Sequence, residues 1–327
     1  FNIASTLFNG QDVSALLPAL NITASLLGTG GLTKTGAGVL GFNAQNLYTG
    51  NTTVNAGTIA ITANPTGAFA GARYSRLDLA SATSYLNLNG ASALFGSITG
   101  SGIVTNAAST AGALLVGYDN TNSTFAGSFA AFSAAAPNTL NVTKIGNGNL
   151  TLTGTSTSTG ILVAGQGTLT YSGAASSLFA TNNVLDGGTL VLDNSGTNVN
   201  SRLGGQVDTA TDSVGLTLNG GTLTILGNSA APTTESLGIV IPKTSGVASS
   251  ASTTLLVTNV DNLVVGMGIS GAGIAANTTI TAINQATNTL TLSVAATVPL
   301  NSALTIQGGT VTMASGASTI NLSPTST

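Results

Sequence analysis

Short runs of alternating apolar and polar residues, separated by glycines, fill the segment Leu32–Ala63. Strict alternation over a few residues predicts a strand with one buried face. Glycine adopts positive φ without steric cost, so Gly36, Gly38, Gly50 and Gly57 predict corners at which the chain turns. The segment therefore predicts a repeating unit of strand, corner, strand and corner.

The same unit returns 110 residues later with no gap. The residues that recur are Lys34, Gly36, Gly38, Gly50 and Gly57, which reappear as Lys144, Gly146, Gly148, Gly160 and Gly167. The Gly-Thr-aliphatic ending is found again at Gly188, Gly221 and Gly309, at steps of 21, 33 and 88 residues. These spacings indicate a coil of about 22 residues, with a loop expected in the 33-residue step. Within that step we expect a polar loop that holds Arg202, Asp208 and Asp212. The predicted fold class is all-β: a β-solenoid, or parallel β-helix.

The string KTGAGVLGF…YTGNTTVNAGTIAI resembles the autotransporter-associated β-strand repeat of large bacterial surface proteins. The second copy, KIGNGNLTLTGTSTSTGILVAGQGTLTYSG, is similar to it, with Ser158 replacing the Tyr of the YTG signature. Residues 86–104 and 216–238 look like companion segments of the same proteins. The resemblance implies a solenoid fold and an extracellular or outer cell-surface location.

Four segments are expected along the chain. Residues 1–31 are an N-terminal cap segment, because solenoid ends are atypical in sequence. Residues 32–239 are the solenoid, in which Tyr118 and Asp119 are expected to mark a corner, and residues 306–327 are a further solenoid strand with a C-terminal tail. Between them, residues 240–305 interrupt the pattern with a small inserted β-module, in which strands at 279–283 and 289–292 predict a hairpin.

Composition excludes several classes of partner. Only 5% of the 327 residues are charged, far below the roughly one quarter that is usual in compact soluble proteins. Six Lys and Arg against nine Asp and Glu cannot neutralise a phosphate backbone, so no nucleic-acid partner is expected. Cysteine is absent, which removes disulfides and thiolate chemistry. No apolar run reaches the ~18 residues needed to span a bilayer, so no membrane span is expected in this chain.

No catalytic, cofactor or metal site is expected. The chain has no His or Cys, which removes the common nucleophile–base pairs and most transition-metal sites. A Ser–Lys pair is compatible with the composition, but Lys34 and Lys144 hold equivalent repeat positions, which favours a scaffold role. Two acidic pairs are weaker alternatives, a glycosidase pair at Asp208 and Asp212 and a calcium site at Asp186 and Asp193. For both pairs we favour a solvated loop or corner.

The densest charge group is the candidate partner contact: Arg73, Tyr74, Arg76 and Asp78. We expect these residues in a protruding loop over residues 64–85. A local salt bridge in a solubilising loop is the simpler interpretation. A docking patch is the sharper one, since Arg and Tyr are enriched at contact hot spots.

Three functions remain open at this stage. The first is a structural surface solenoid that associates end to end with copies of itself as a filament or stalk, because open strand edges are templates for pairing. The second is an adhesin passenger that binds a host surface, a glycan or another surface component through its loops or its inserted module. A polysaccharide lyase or hydrolase ranks last, because it needs clustered charged residues.

Overall fold

Thirty-three β-strands make up almost all the regular structure in the part of the chain that the computed structural model describes. The residues outside that description are 10, 14–17, 63–72, 132–138, 159, 176–181, 204–214, 220, 237–238, 241–244, 247–250, 258–259, 261–262, 264, 299–301, 308–309, 314–318 and 323–327. Within the described residues, no helix has the length and apolarity needed to cross a membrane.

The N-terminal segment lies against the first coil of the solenoid. Phe1 donates its amino group to the carbonyl of Thr33, and Asn2 forms a parallel bridge with Thr35. Its strands are β1 (Leu7–Phe8), β2 (Gln11–Asp12) and β3 (Leu20–Ile22). β1 and β2 form a small antiparallel pair.

The first repeat contributes two coils with two strands each. Their strands are β4 (Leu32–Lys34), β5 (Val39–Phe42), β6 (Thr52–Val54) and β7 (Gly57–Ile61). β4 pairs in parallel with β6, and β5 pairs in parallel with β3 and β7. The alternating residues predicted as strands in this segment are therefore strands.

Coils with up to three strands follow. They contain β8 (Arg76–Leu79), β9 (Ser84–Asn87), β10 (Ser92–Phe95), β11 (Ser97–Gly100), β12 (Ile103–Asn106), β13 (Gly112–Val116), β14 (Ser123–Phe125) and β15 (Ser128–Ala131). The expectation of a protruding loop over residues 64–85 is wrong for β8 and the start of β9. Alternate residues of both strands are buried, because Leu77, Leu79 and Leu86 supply apolar side chains to the core.

The second repeat returns to two strands in each coil. Its strands, and those that continue it, are β16 (Leu140–Lys144), β17 (Asn149–Leu152), β18 (Ile161–Ala164), β19 (Thr168–Tyr171), β20 (Asn182–Asp186), β21 (Thr189–Asp193), β22 (Gly215–Asn219) and β23 (Thr222–Leu226).

Three parallel sheets therefore form the sides of the solenoid. Sheet I contains β10, β13, β16, β18, β20 and β22; sheet II contains β4, β6, β8, β11, β14, β17, β19, β21 and β23; sheet III contains β3, β5, β7, β9, β12 and β15. The prediction of a parallel β-solenoid is confirmed. Along sheet II, paired residues are separated by 20, 25, 21, 25, 27, 19, 21 and 33 residues.

The core lies inside the coil, where inward residues of successive strands stack in columns. In sheet II one such column contains Phe125, Leu152, Tyr171, Leu192 and Ile225. These side chains are 0–3% exposed. Because the outward residues between them are mostly Thr, Asn and Ser, each strand reads as the alternation seen in the sequence.

The two repeats do not occupy the same sides of the coil. The corner after Lys34 joins sheet II to sheet III, whereas the corner after Lys144 joins sheet I to sheet II. The side without strands moves accordingly, from residues 43–51 in the first repeat to residues 153–158 in the second. The coils with three strands, β8 to β15, lie between these two arrangements.

The parallel pattern ends near β25, and antiparallel strands follow. The remaining strands are β24 (Thr233–Ser236), β25 (Ile239–Val240), β26 (Ser245–Gly246), β27 (Ser252–Leu256), β28 (Gly268–Gly271), β29 (Ile280–Asn284), β30 (Thr289–Ala296), β31 (Ser302–Gln307), β32 (Thr310–Met313) and β33 (Thr319–Leu322). β33 pairs antiparallel with β23, and β31 pairs antiparallel with β25. The predicted hairpin is confirmed, since β29 pairs antiparallel with β30 across residues 285–288.

Candidate functional site

Each repeat has a fully buried lysine at its first corner. Lys34 ends β4 at an inward position, so its side chain enters the coil and its Nζ reaches the corner. Nζ donates hydrogen bonds to the carbonyl oxygens of Gly36 and Ala56, both at 2.8 Å, and of Thr35 at 3.5 Å. Gly36 belongs to the same corner, and Ala56 lies one coil further. The side chain therefore joins two adjacent coils.

Lys144 repeats this arrangement in the second copy. Its Nζ donates to the carbonyl oxygens of Ile145 at 2.6 Å, Gly146 at 2.8 Å and Gln166 at 3.3 Å. Burial lowers the pKa of Lys34 and of Lys144 to about 8. Both side chains remain largely protonated at neutral pH, and backbone carbonyl oxygens rather than a carboxylate accept the hydrogen bonds of their ammonium groups.

The corner glycines are required for two different reasons. Four of them have positive φ: Gly36, Gly57, Gly146 and Gly167. At the other corner glycines that the structure describes, a side chain would collide with an adjacent coil or, at Gly38, with the N-terminal segment. These glycines are Gly38, Gly50, Gly148, Gly160, Gly188 and Gly221. A Cβ on Gly148, for example, would lie 2.2 Å from the carbonyl oxygen of Thr121. Gly309 lies outside the described residues.

Tyr48 and Ser158, the two versions of the YTG position, are both buried but bonded differently. The hydroxyl groups of Tyr48 and Thr52 lie 2.5 Å apart. Burial raises the pKa of Tyr48 to about 12, against the smaller opposing effect of this hydrogen bond. Ser158 instead donates to the carbonyl oxygen of Leu140 at 3.0 Å. In the second copy Leu162 stands where Thr52 stands in the first, so both partners of the hydroxyl pair have changed together.

An aromatic cluster lies on the outside of the corner between sheets I and II. The rings of Tyr74 and Tyr118 pack edge to face, with centroids 5.6 Å apart and planes at 79°. The guanidinium of Arg73 lies 5.3 Å from the Tyr74 ring centroid and 5.8 Å from that of Tyr118. Tyr74 is 61% exposed and Tyr118 is 39% exposed. We call Arg73, Tyr74 and Tyr118 the aromatic cluster.

Gly96 allows this cluster to form. Its backbone N–H donates to the carbonyl of Ser75, and its own carbonyl accepts from Asp119, so it lies in the coil between the two tyrosines. A Cβ on Gly96 would lie 2.9 Å from the carbonyl carbon of Tyr74 and 2.8 Å from Oδ2 of Asp119. The two tyrosines are therefore two coils apart and meet across a residue with no side chain.

The structure divides the predicted group of four residues. Arg73 and Tyr74 join the aromatic cluster, whereas Arg76 and Asp78 lie in β8 on sheet II. Arg76 is exposed, and Oδ1 of Asp78 accepts a hydrogen bond from the hydroxyl of Thr99 at 3.0 Å. Tyr118 was placed at a corner by the sequence but was missed as a member of the site. Tyr118 and Tyr74 are 44 residues apart, which equals two coils of 22, and this spacing could have predicted that they lie at equivalent corners.

An open groove of about 560 Å³ continues from Tyr118 along the same corner. It runs along the corners that follow four consecutive strands of sheet I, β13, β16, β18 and β20, and includes residues of β16, β18 and β20 themselves. Its lining is formed by Tyr118, Asn120, Thr143, Ile145, Gly146, Val163, Gly165, Gln166 and Asp186. Three of the lining residues, Ile145, Gly146 and Gln166, contribute the carbonyls that bind Lys144 Nζ. The buried lysine thus supports the floor of the groove.

Arg202 and Glu235, by contrast, form a buried polar network. The sequence placed Arg202 in a polar loop, but its side chain is fully buried. The guanidinium donates to the side-chain oxygen of Asn194 and to three carbonyls, those of Gly173, Ala175 and Thr197. The Glu235 carboxylate accepts the backbone N–H groups of Arg202 and Leu203, both at 2.8 Å. Burial raises the pKa of Glu235 to about 7, against the weaker effect of these bonds and of Arg202.

The structure describes one of the two acidic pairs weighed in the sequence, Asp186 and Asp193, which were considered as a calcium site. Asp193 accepts hydrogen bonds from the hydroxyls of Ser195 and Ser172 and from the Ser195 backbone. Asp186 lines the groove, and Asp208 and Asp212 lie outside the described residues. Among the described residues, no group of three His, Cys, Asp or Glu side chains could hold a metal ion.

Comparison with known proteins agrees with the repeat geometry. Residues 32–61 match the Passenger-associated-transport-repeat family. The chain is 32% identical over 148 residues, 45% of its length, to the Adhesin BmaC autotransporter of Brucella suis biovar 1 (strain 1330). That match spans only 4% of the length of the Brucella protein. No solved structure gives a significant match. The chain therefore carries autotransporter passenger repeats on a β-solenoid that is displayed extracellularly or at the outer cell surface.

Proposed function

We propose that this chain is an adhesive passenger segment, which contacts another surface component through the aromatic cluster of Arg73, Tyr74 and Tyr118. The observation that carries the proposal is the exposure of two tyrosines that pack edge to face, with a guanidinium held beside them. Arg and Tyr are enriched at contact hot spots, and Tyr buries much area with few conformational degrees of freedom. The similarity to a protein named as an adhesin supports the same function.

The cluster is suited to binding because it is pre-organised. Its three side chains pack on one another on a parallel scaffold, so little side-chain entropy remains to be lost on contact. Arg76 and Asp78 lie beside it on sheet II and complete the predicted contact group. We expect them to contribute less, because exposed charges at a rim add little affinity.

Binding of the purified chain to cultured epithelial cells and to immobilised matrix glycoproteins tests this function. Replacing both cluster tyrosines (Tyr74→Ala with Tyr118→Ala) is expected to reduce binding at least tenfold. The matched control is Tyr85→Ala, which removes a partly exposed tyrosine from sheet III. Equal binding by the double variant and the control would exclude the cluster as the adhesive surface.

End-to-end association into a filament or stalk is the second candidate. It is favoured by the apolar residues exposed on the N-terminal segment, Phe8 at 68%, Leu7 at 64% and Leu27 at 71%. We rank it below adhesion because β33 and β31 pair antiparallel with the last parallel strands, which breaks the register that a further stacked coil would need. Electron microscopy over a range of concentrations tests it: fibres that disappear with Phe8→Ser and Leu27→Ser would support it, and isolated rods throughout would exclude it.

We also propose that the chain is not an enzyme. The chain has no His or Cys, and the two lysines among the described residues, Lys34 and Lys144, have their Nζ atoms bonded to backbone carbonyls. The division into a cap (1–31), a solenoid (32–239), an inserted module (240–305) and a C-terminal strand with its tail (306–327) remains a prediction. Expression of residues 240–305 alone, followed by circular dichroism, would test whether that module folds independently.

A further inference from the structure

We propose that the groove beside the aromatic cluster binds a neutral saccharide chain that lies across the strands of sheet I. This inference rests on the proposed adhesive function and names the chemistry of the ligand. The groove begins at Tyr118, which belongs to both the aromatic cluster and the groove lining, and ends at Asp186. Contact and ligand selection would therefore occur on one continuous surface.

The dimensions of the groove fit an extended oligosaccharide. Its volume of about 560 Å³ lies within the range of known ligand sites. Four adjacent strands set its length, and three spacings of ~4.8 Å span about 14 Å. Successive pyranose rings in an extended chain are separated by a distance close to one such spacing, so each coil faces about one sugar. The open shape suits a polymer that continues beyond both ends.

The lining chemistry fits the two faces of a sugar ring. Tyr118, Ile145 and Val163 offer apolar surface for the C–H face, and one of them is an aromatic ring that can stack. Asn120, Thr143 and Gln166 offer amide and hydroxyl groups for sugar hydroxyls. Outward positions of adjacent strands stack one coil apart, and the pair Thr143 and Val163 places a polar and an apolar group side by side.

The charges select a neutral ligand. Asp186 is the charged side chain of the described lining, and a carboxylate accepts hydrogen bonds from neighbouring hydroxyls but repels acidic sugars. Lys144 Nζ lies beneath the floor but is directed to three carbonyls and is fully buried. An anionic polysaccharide would thus meet a carboxylate in the lining, whereas the Arg73 guanidinium lies outside the lining, beside Tyr118.

A peptide strand is excluded as an occupant by the sheet itself. Addition of a strand needs a free edge with unpaired backbone groups. Each of the four strands that form the groove is paired on both sides, β13 with β10 and β16, β16 with β18, β18 with β20, and β20 with β22. Recognition must therefore use side chains on the flat face of the sheet. The hydroxyl groups and C–H faces of a saccharide can bind such side chains.

Titration with defined tetrasaccharides tests the proposal. The neutral probes are cellotetraose, maltotetraose and tetra-N-acetylchitotetraose, and the acidic probe is tetragalacturonate. The chain has no Trp and five Tyr, so a change in Tyr emission during the titration reports binding close to a tyrosine, and calorimetry gives the affinity. We expect at least one neutral probe to bind, and Tyr118→Ala to weaken that binding at least tenfold. Val163→Glu, which replaces apolar surface for the C–H face of a sugar with a charged group, is expected to weaken it at least tenfold. Tyr85→Ala should leave it unchanged.

Three outcomes would overturn the inference: no binding of any neutral probe at millimolar concentration, tetragalacturonate binding as tightly as the neutral probes, or unchanged affinity in both groove variants. Circular dichroism of each variant checks that the solenoid is intact. The adhesion assay separates the two proposals, since loss of saccharide binding with adhesion retained rejects this inference alone. Adhesion that is independent of Tyr74 and Tyr118 rejects the proposed function itself.

Discussion

The Nζ atom of Lys34 lies 2.8 Å from the carbonyl oxygen of Ala56, 22 residues later and one coil along the solenoid. Lys144 and Gln166 repeat the relationship at the same separation. Such a bond fixes the distance between adjacent coils at a corner, where the sheet ladder is interrupted. These two buried side chains therefore help to set the repeat length, because each of them bonds to a residue 22 positions later.

Replacing either lysine by methionine should destabilise the solenoid, because the corner carbonyls lose their donor inside the core. An unsatisfied buried group costs about 1–3 kcal/mol, so we expect Lys34→Met and Lys144→Met each to lower the free energy of unfolding by about that amount. The two losses of free energy should add, since the sites lie about five coils apart along the solenoid and share no partner. Urea unfolding followed by circular dichroism measures them, with exposed Arg76→Met as the control. A loss no greater than in the control would contradict the prediction.

The same lysines predict a rise in stability at alkaline pH. Their pKa values fall to about 8 in the folded chain, from about 10.5 when exposed. The unfolded chain therefore binds more protons between these values, and the free energy of unfolding should increase as pH rises from 8 to 10.5. Unfolding midpoints at pH 8, 9 and 10 measure the slope. A variant with both lysines replaced by methionine should show a smaller slope; an identical slope would assign the effect elsewhere.

Glu235 predicts the opposite trend at lower pH. Its pKa is raised from about 4.5 to about 7, so the folded chain retains a proton that the unfolded chain releases. Stability from this group is complete below pH 4.5 and is lost as pH rises through 7. The charged groups that act on it are Arg202 and, through Arg202, Asp193. Glu235→Gln should flatten the dependence between pH 5 and 8, whereas an unchanged profile would exclude Glu235 as its source.

The hydroxyl pair of Tyr48 and Thr52 predicts a strong coupling between the two positions. Tyr48→Phe leaves the buried Thr52 hydroxyl without this partner, which should cost about 1–2 kcal/mol. The double variant Tyr48→Phe with Thr52→Val removes both partners and should recover most of the loss. A double-mutant cycle from urea unfolding gives the interaction energy. Simple additivity of the single changes would show that the hydroxyl pair contributes nothing.

Gly148 and Gly196 form a matched pair for the packing of corners. A Cβ on Gly148 would meet the Thr121 carbonyl at 2.2 Å, whereas one on Gly196 would meet nothing within 4 Å. Gly148→Ala should therefore force adjacent coils apart at a cost of about 1–3 kcal/mol. Gly196→Ala should be neutral or slightly stabilising. Equal effects in thermal unfolding would mean that inter-coil contact does not require glycine at 148.

The sequence was sufficient to predict the parallel coils, because local alternation and glycine spacing are what each coil requires. Two features escaped it because they depend on contacts between coils. Arg202 was expected in a polar loop, yet its guanidinium finds carbonyls at Gly173 and Ala175, almost thirty residues away. Tyr118 was seen as a corner residue only, because its partner Tyr74 belongs to a coil two turns earlier.

The protruding loop expected over residues 64–85 failed for a related reason. Charged residues at 73, 76 and 78 suggested a solvated loop, but in β8 the charged side chains alternate with Leu77 and Leu79. A pleated strand separates those two sets onto opposite faces, so charge density alone did not argue against a strand. Positive φ also explained only some of the corner glycines, because steric contact across coils has no local sequence signal.

The change of corner between the two repeats has a consequence for valency. Their equivalent surfaces face different directions around the rod, displaced by one side of its three-sided outline. Two identical epitopes on one chain could therefore not engage the same flat target together, and avidity requires geometry that permits both contacts at once. Under the proposed adhesive function, stronger attachment would require several chains, each presenting one lateral face to the target.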